Sequence, residues 1–281
     1  MTNHPALAAG RTAIVTGAAS GIGLAAAKSF AARGLNLCLA DLPGGALDAA
    51  ARAVGAIAAK SGARALAVPT DVARIEEVSR LKDTAYREFG EVGVLMNNAA
   101  INGGAGPWEK YDIWRRTLDV NLWGVVNGVH AFAPAMIAQG THAAIVNTGS
   151  KQGITMPPGN AVYNLAKAGV KALTEAMAHE LRNVPGCQVT AHLLIPGFTF
   201  TGITAQREKP PAAWTAEQVI DFMLAAMGRG DFYILCPDNA VTRTMDEKRM
   251  QWAVDDIIKN RPALSRWHKD YAAEFERFMK G

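Results

Sequence analysis

The sequence predicts an α/β fold: a single doubly wound parallel sheet of seven strands with helices on both faces. Short apolar runs alternate with longer segments of helical periodicity, and this alternation continues over residues 10–236. Most of the short runs are continuously apolar, which is typical of strands covered on both faces and hence of a parallel sheet. No linker rich in proline, serine or glycine divides the 281 residues, so we expect one domain over residues 1–281.

Each predicted element follows from its local pattern. Short apolar runs between glycine, proline or polar residues predict seven strands: Thr12–Thr16, Asn36–Asp41, Ala63–Pro69, Val92–Asn97, Ala143–Thr148, Gln188–Ile195 and Phe232–Cys236. Apolar residues at helical spacing predict the helices between them: Gly21–Arg33, Gly45–Ser61, Ile75–Phe89, Tyr111–Ala138, Val162–Asn183 and Ala216–Met227. The segment 199–215 lacks periodicity and is interpreted as a loop. Residues 237–281 show short helical patterns and form a predicted helical C-terminal extension.

Composition excludes several classes of protein. Apolar residues make up 49% of the chain and charged residues 19%, which excludes a disordered protein. The net charge of +4 is spread along the chain without a basic block, so we expect no nucleic-acid partner. The three cysteines are far apart and the six histidines lack metal-ligand spacing, so neither a disulfide framework nor a metal site is expected. No leader pattern and no uncharged apolar run of bilayer length is found, which favours a soluble, cytoplasmic protein without a membrane partner.

A glycine-rich turn connects the first predicted strand to the first helix. The segment runs Thr16-Gly17-Ala18-Ala19-Ser20-Gly21-Ile22-Gly23. Glycines at such a turn let the backbone approach a pyrophosphate, and the helix N-terminus supplies free N–H groups and a partial positive charge. A simple tight turn is the alternative interpretation, but the position after the first strand of a βαβ unit favours dinucleotide binding.

Asp41 ends the second predicted strand, where an acidic residue can accept hydrogen bonds from an adenosine ribose. Its charge would repel the 2′-phosphate of NADP. No cation is found at Ala18, Ala19 or Leu42 to offset that charge, so the sequence favours NAD over NADP. The alternative role for Asp41 is to cap the following helix.

Ser150, Tyr163 and Lys167 are the candidate chemical groups. Tyr163 and Lys167 are four residues apart, which places them on one face of a helix. A free tyrosine, with a pKa of about 10, is barely ionised at neutral pH. A neighbouring ammonium and an oxidised nicotinamide would lower the Tyr163 pKa, making it a plausible acid/base for a hydroxyl or carbonyl. A Tyr/Lys pair alone is usually a surface contact; here Ser150 and the glycine turn accompany it.

Taken together, these motifs resemble the short-chain dehydrogenase/reductase family. The resemblance covers roughly residues 10 to 236 and adds Asn121 and two further segments, Asn97-Asn98-Ala99-Ala100 and Pro196-Gly197 with Thr201. All these motifs occur in the family's order. Ala100 stands where many relatives have glycine, and Gly149 stands where a second serine is frequent. The resemblance implies a Rossmann-type fold and an NAD(P)-dependent enzyme acting on CH–OH groups, of the alcohol dehydrogenase type.

The resemblance also implies residue roles. Tyr163 would be the general acid/base, Ser150 would hydrogen-bond the substrate oxygen, and Asn121 would hold a water that links Lys167 to solvent. Lys167 would lower the Tyr163 pKa and bind the nicotinamide ribose, and Asp71 would accept the adenine amino group. The predicted cofactor-binding residues are Gly17, Ser20, Gly21, Ile22, Gly23, Asp41, Leu42, Asp71, Val72, Asn98, Ala99, Tyr163, Lys167, Pro196, Gly197, Thr199 and Thr201.

The sequence therefore predicts an NAD-dependent oxidoreductase acting on a secondary alcohol or its ketone, a small and largely apolar molecule. Two alternatives remain open at this point: an NADPH-dependent carbonyl reductase, and a nucleotide-sensing regulator without catalysis. The regulator is disfavoured because it would not need Ser150, Tyr163 and Lys167.

Assembly is predicted from the last strand and the C-terminal extension. Phe232–Cys236 is an apolar strand expected at the sheet edge, and exposed apolar edges are usually covered. The extension carries Trp252, Trp267, Tyr271, Phe275 and Phe278. We expect the edge and the extension to meet across a two-fold axis in a homodimer or homotetramer, with part of the extension or of segment 199–215 closing the substrate pocket.

Overall fold

The computed structural model describes residues 4–202 and 208–281. Seven strands form one sheet in the order β3-β2-β1-β4-β5-β6-β7, and every neighbouring pair is parallel. The strands are β1 (Thr12–Thr16), β2 (Asn36–Asp41), β3 (Ala65–Pro69), β4 (Val94–Asn97), β5 (Ala143–Thr148), β6 (Val189–Ile195) and β7 (Tyr233–Leu235). The predicted doubly wound, Rossmann-type fold is confirmed.

Ten α-helices lie in the described part of the chain. They are α1 (Gly21–Ala32), α2 (Gly45–Ala58), α3 (Ile75–Phe89), α4 (Tyr111–Leu118), α5 (Gly124–Ala138), α6 (Gln152–Thr155), α7 (Ala161–Asn183), α8 (Ala216–Arg229), α9 (Arg243–Ile258) and α10 (Ala272–Lys280). The C-terminal extension is helical, as predicted.

Alternate residues of the central strands enter two separate cores. Val15 and Leu39 face the side covered by α1, α2 and α8, where Phe30 of α1 is fully buried. Ile14 and Cys38 face the side covered by α3, α5 and α7, where Phe132 of α5 is fully buried. Burial on both faces is why these strands are continuously apolar in sequence.

Several predicted bounds differ from the observed ones by one to three residues, and α6 lies outside the predicted elements; two of the differences have a clear structural origin. Strand β4 begins at Val94 rather than Val92, because both backbone polar groups of Val92 bond to the side chain of Gln139. The predicted helix Tyr111–Ala138 contains a π-helical turn, Asp119–Trp123, between α4 and α5. Such turns often occur at functional sites, and this one carries Asn121.

The segment from Tyr111 to Ala138 is long and apolar enough to cross a membrane by length and composition alone. In this structure α5 packs as a core helix, since Val125, Phe132 and Met136 are buried. Its Asn127 side chain also donates a hydrogen bond to the Val72 carbonyl at 2.9 Å. Residues 203–207 of the predicted loop, and residues 1–3 at the N-terminus, lie outside the described part of the chain.

The extension builds a small core of its own. The Trp252 ring packs edge-on against Phe275 and Phe278, with centroids 5.2 and 5.3 Å away. Its indole N–H donates to Ser265 Oγ at 2.8 Å, and the Arg261 guanidinium lies 3.9 Å from the ring centroid. Three of the aromatic residues that predicted an interface are therefore packed within the same chain.

A buried histidine pair near the start of β6 predicts that the stability of the fold depends on pH. His4 and His192 are buried, and both reach Thr190 Oγ1, at 3.1 and 3.0 Å. Burial, followed by the charge of His192, lowers the pKa of His4 to about 4. Burial also lowers the pKa of His192, against a hydrogen bond to the Asp231 carbonyl that raises it.

We expect the native protein to lose stability as the pH falls from about 6.5, the unfolded histidine pKa, toward 4, because the unfolded chain takes up protons that the folded chain excludes. Replacing His4 by glutamine should lessen this loss, read as a smaller drop in Tm between those two pH values. His179→Gln, an exposed change on α7, is the control. An unchanged pH dependence in His4→Gln would contradict the account.

Candidate active site

One large cavity opens at the carboxyl edge of the sheet, where the strands deliver their following loops. Its volume is about 1270 Å³, and its lining extends from the loops after β2 and β3 to the loop after β6. This edge is where open α/β sheets bind their ligands. All the predicted site residues line it except Gly23 and Asn121.

The glycine turn after β1 is packed tightly against the loop after β4. Gly17 has φ +67°, and a Cβ there would lie 2.8 Å from the Ala99 Cα. The Thr16 hydroxyl oxygen accepts the N–H groups of Asn98 and Ala99, at 2.9 and 3.1 Å. The predicted residues Asn98 and Ala99 therefore support the turn and line the cavity beside it.

Gly23 lies beneath this turn rather than in the cavity wall. A Cβ at this position would come 2.1 Å from the Gly17 carbonyl oxygen, so only glycine lets α1 start this close to β1. The residues that face the cavity at the N-terminus of α1 are Ser20, Gly21 and Ile22. The helix N-terminus is thus open toward the cavity, as anion binding requires.

The Asp41 carboxylate lies beside the glycine turn. One oxygen accepts the Ala19 N–H at 2.9 Å, and the other accepts the Leu42 N–H at 2.8 Å. These bonds fix its direction, while each oxygen keeps a lone pair for a further donor. The helix-cap alternative for Asp41 is not seen, because α2 begins at Gly45 without a side-chain cap.

Asp71 and Val72 form the cavity wall after β3. One Asp71 carboxylate oxygen accepts the Ala73 N–H at 3.0 Å, and the Asp71 N–H donates to Glu77 at 2.7 Å. Val72 is 6% exposed and packs against Gly124 at the start of α5. At the β3 end of the cavity, Val72 thus contributes an apolar surface and Asp71 an acidic one.

Ser150, Tyr163 and Lys167 meet at the β5 end. Ser150 follows β5, whereas Tyr163 and Lys167 lie one turn apart on α7. A side-chain hydrogen bond joins Tyr163 to Ser150. The Lys167 ammonium lies 5.8 Å from the Tyr163 ring centroid and donates to the Thr148 carbonyl at 2.7 Å.

Burial sets the proton affinities of this group. It raises the pKa of the Tyr163 phenol, against the hydrogen bond from Ser150, which lowers it. It lowers the pKa of Lys167 to about 8, since the ammonium is buried beneath the cavity floor. Tyr163 is half-buried, so part of its ring faces the cavity while its hydroxyl lies deep enough to be desolvated.

Asn121 is placed differently from the other predicted catalytic residues. Its amide oxygen accepts the Ile101 N–H at 2.7 Å, and its amide nitrogen donates to the Ile101 carbonyl at 2.8 Å. The side chain thus ties the π-helical turn to the loop after β4. Its role in a water relay stays a prediction.

The loop after β6 completes the wall. Pro196, Gly197, Thr199 and Thr201 all face the cavity. The Thr199 hydroxyl donates to the Gly197 carbonyl at 3.1 Å, and Thr199 forms a β-bridge with Trp214. A Cβ at Gly21 would lie 3.2 Å from the Thr201 side chain, so this loop reaches the glycine turn.

The sequence analysis missed several residues that line the cavity. Arg115 and Arg116 of α4 and Lys151 after Ser150 bring positive charge to it, and Gln152 and Asn160 bring amides. Lys151 could have been inferred from its position next to Ser150. The two arginines could not, since helix periodicity alone does not say which face of α4 borders a cavity.

Comparison with known proteins agrees with this geometry. Residues 11–212 match the family model described as short chain dehydrogenase. A 1-deoxy-11-beta-hydroxypentalenate dehydrogenase of Streptomyces exfoliatus is 34% identical over 92% of this chain and 94% of its own length. A cis-4-hydroxycyclohexanecarboxylate dehydrogenase of Sinomonas cyclohexanicum is 40% identical over 69% of this chain and 76% of its own length.

Solved structures give the same result. A crystal structure of a short chain dehydrogenase/reductase from Burkholderia phymatum in complex with NAD is 33% identical, with a TM-score of 0.80 over 90% of this chain and 96% of that one. A metagenomic short-chain oxidoreductase in complex with NADP is 26% identical, with a TM-score of 0.68 over 82% of this chain and 98% of that one.

Proposed function

The chain belongs to the short-chain dehydrogenase family of oxidoreductases, which act on CH–OH groups, and from this premise we propose that it transfers hydride between a secondary alcohol, or its ketone, and NAD. The observation that carries the proposal is the single cavity that joins Ser150, Tyr163 and Lys167 to the glycine turn and Asp41. A nucleotide-sensing regulator would not need the first three residues.

The residues present fit a dinucleotide. Gly17 and Gly23 let the turn pack closely against Ala99 and α1, and this packing leaves Ser20, Gly21 and Ile22 facing the cavity. The open N-terminus of α1 suits a pyrophosphate, and the fixed Asp41 carboxylate suits a ribose diol. Asp71 and Val72 border the adenine side, and Lys167 and the 196–201 loop border the nicotinamide side.

When bound, the nicotinamide supplies the hydride chemistry and, in its oxidised form, a positive charge. Tyr163 takes the proton from the substrate hydroxyl during oxidation and returns it during reduction. Ser150 donates a hydrogen bond to the substrate oxygen and, with Tyr163, stabilises the charge that develops there. Lys167 has two ammonium protons beyond the one bonded to Thr148, and these hold the ribose hydroxyls.

The preference for NAD rests on Asp41. Its carboxylate is fixed beside the glycine turn, and we infer that it binds the adenosine ribose, where a 2′-phosphate would meet like charge. Arg64, just before β3, pairs with Glu88 and lies over the Phe89 ring, and it is not part of the cavity lining. Arg115 and Arg116 also line the cavity, and contact of either guanidinium with the 2′-phosphate would favour the alternative, an NADPH-dependent reductase.

We expect kcat/KM to be higher with NAD than with NADP. Replacing Asp41 by alanine should lower kcat/KM with NAD, because the ribose hydrogen bonds are lost. It should also raise kcat/KM with NADP, because the repulsion of the 2′-phosphate is removed. Steady-state kinetics with both cofactors measures this, with Asp48→Ala on α2 as the control. Equal or better kcat/KM with NADP in the native enzyme would contradict the proposal.

The substrate class follows from the relatives and the cavity. Two relatives are named for hydroxylated cyclic carboxylates. Arg115 and Arg116 line the cavity, and neither has an ion pair among the residues that the structure describes. We therefore propose that the substrate is a cyclic secondary alcohol. A substrate screen should include cyclic alcohols with and without a carboxylate.

A homodimer or homotetramer is proposed from exposed apolar side chains. On β7 and α9 these are Tyr233, Val254, Ile257 and Ile258, of which Ile257 is 83% exposed. Others lie on and beside α4, α5 and α7: Trp108, Tyr111, Trp123 and Leu165. Such surfaces favour association. Light scattering should give twice or four times the chain mass, and a single chain mass would contradict the proposal.

We propose a soluble, cytoplasmic enzyme without a membrane partner. Within the apolar helical segment, α5 packs against the sheet and contributes Phe132 and Met136 to the core. Cell fractionation tests this, with recovery in the soluble fraction expected and recovery with membranes contradicting it.

A further inference from the structure

Three ionised side chains join the C-terminal extension to the loop that carries Ser150. The Lys151 ammonium lies 2.6 Å from an oxygen of Asp246, on α9, and 3.5 Å from an oxygen of Asp238, which precedes α9. The side chains of Asp238 and Asp246 are 4% and 7% exposed, and that of Lys151 is 18% exposed. We call this group the clasp: Lys151, Asp238 and Asp246.

The clasp also touches the loop after β6. The Asp238 oxygen that faces Lys151 accepts the Phe198 N–H at 3.1 Å. A Cβ at Gly197 would lie 2.8 Å from this oxygen and 2.9 Å from the Lys151 ammonium. One carboxylate therefore holds together the loop after β5, the loop after β6 and the extension, and glycine at 197 makes room for it.

The extension is fixed where it meets the clasp. The second Asp238 oxygen accepts the N–H groups of Ala240 and Val241, at 3.0 and 2.8 Å. The Asn239 amide donates to the Pro211 carbonyl at 2.7 Å. The carboxylate of Asp238 thus has a set direction before Lys151 meets it.

Both carboxylates are nearly out of water, and Lys151 is the nearest cation to each in the described part of the chain. Without it, Asp246 would keep only the more distant Arg249, at 4.0 Å, and Asp238 would keep only its N–H donors. Lys151 lines the cavity, but its ammonium contacts Asp246 of the extension. Ser150 is the residue immediately before Lys151, and Gly197 and Phe198 lie beside Asp238. A shift of the clasp would therefore shift the loop after β5, which carries Ser150, and the loop after β6.

We propose that the clasp positions Ser150 and the 196–199 segment, so that turnover depends on the C-terminal extension. The proposal rests on the proposed function, since it concerns the same site. Lys151, Asp238 and Asp246 act through other residues and are positioning residues. Misplacement of a reacting group by about 1 Å can cost about 10²-fold in rate.

The test compares Asp246→Asn, Lys151→Met and the double variant with the full-length protein. Each single variant should lower kcat by about tenfold or more, whereas the Kd for NADH, from fluorescence titration, should rise by a smaller factor, because the glycine turn and Asp41 keep their contacts. The double variant should lose no more than the worse single one, because the two residues form one contact. Arg243→Gln removes an exposed ion pair with Glu247 on the same helix and should leave kcat unchanged.

Amide hydrogen exchange tests the clasp independently of catalytic activity. Asp246→Asn should speed amide exchange in residues 150–155 and 237–250, and Arg243→Gln should not. A native enzyme without alcohol dehydrogenase activity would overturn the proposed function, and exchange would still test the clasp.

The proposal is contradicted if either single variant keeps kcat within about twofold of the native value. It is also contradicted if the losses in kcat of the two single variants add up in the double variant, or if amide exchange is unchanged in Asp246→Asn. It is also overturned if kcat and the affinity for NADH fall by the same factor, which indicates general loss of structure. If Asp246→Asn gives no soluble protein, Lys151→Met carries the same measurements.

Discussion

Replacing Tyr163 by phenylalanine should lower kcat at least about 10²-fold, the scale expected for loss of a general acid/base. The phenol hydroxyl is hydrogen-bonded to Ser150 at the reacting end of the cavity, and phenylalanine keeps the ring while removing the proton carrier. Binding of the dinucleotide should barely change, because the glycine turn and Asp41 are untouched. Steady-state kcat and the Kd for NADH measure the two effects.

Tyr111→Phe is the matched control, since Tyr111 is 73% exposed. It removes the same atom from the same residue type and should leave kcat at the native value. Near-native turnover by Tyr163→Phe on the best substrate would reject Tyr163 as the acid/base.

Replacing Lys167 by methionine should lower kcat by about 10²-fold and also weaken cofactor binding, because the ammonium has two tasks. Its charge favours the Tyr163 phenolate, whose pKa burial otherwise raises. Without that charge, the rise of kcat with pH during alcohol oxidation should move to higher pH, since the phenolate then forms only at higher pH. A pH series of kcat and a titration of NADH binding read these effects.

Lys171→Met is the control on the same helix, one turn further along, where the ammonium pairs with Glu175 in partial contact with solvent. It should change neither the pH profile nor the affinity. If Lys167→Met lowers kcat without moving the pH profile, Lys167 does not tune Tyr163.

The fold could be predicted because burial on both faces leaves a continuous apolar run in each central strand. Ile14 and Val15 enter different cores, yet both must be apolar. The start of β4 could not be predicted, since Val92 is as apolar as Val94 and is kept out of the strand only by its hydrogen bonds to the Gln139 side chain. These bonds join residues far apart in the sequence.

The candidate site was predictable where adjacent residues or one helix turn define it. Tyr163 and Lys167 share a helix face, and Asp41 ends a strand. The clasp could not be predicted, since Asp238 and Asp246 lie 87 and 95 positions beyond Lys151, in an extension whose path no local pattern fixes. The bonds of Asn121 to Ile101 depend on a π-helical turn, which helical periodicity does not reveal.

An alcohol screen tests the central claim most directly. The native enzyme is mixed with NAD and each member of a panel of cyclic secondary alcohols, with and without a carboxylate, and NADH absorbance is followed beside Tyr163→Phe. The account predicts NADH formation with at least one alcohol, faster with NAD than with NADP, and loss of at least about 10²-fold in the variant. NADH formation that is equally fast in Tyr163→Phe, or none from any alcohol in the panel and no oxidation of NADH by the matching ketones, would contradict it.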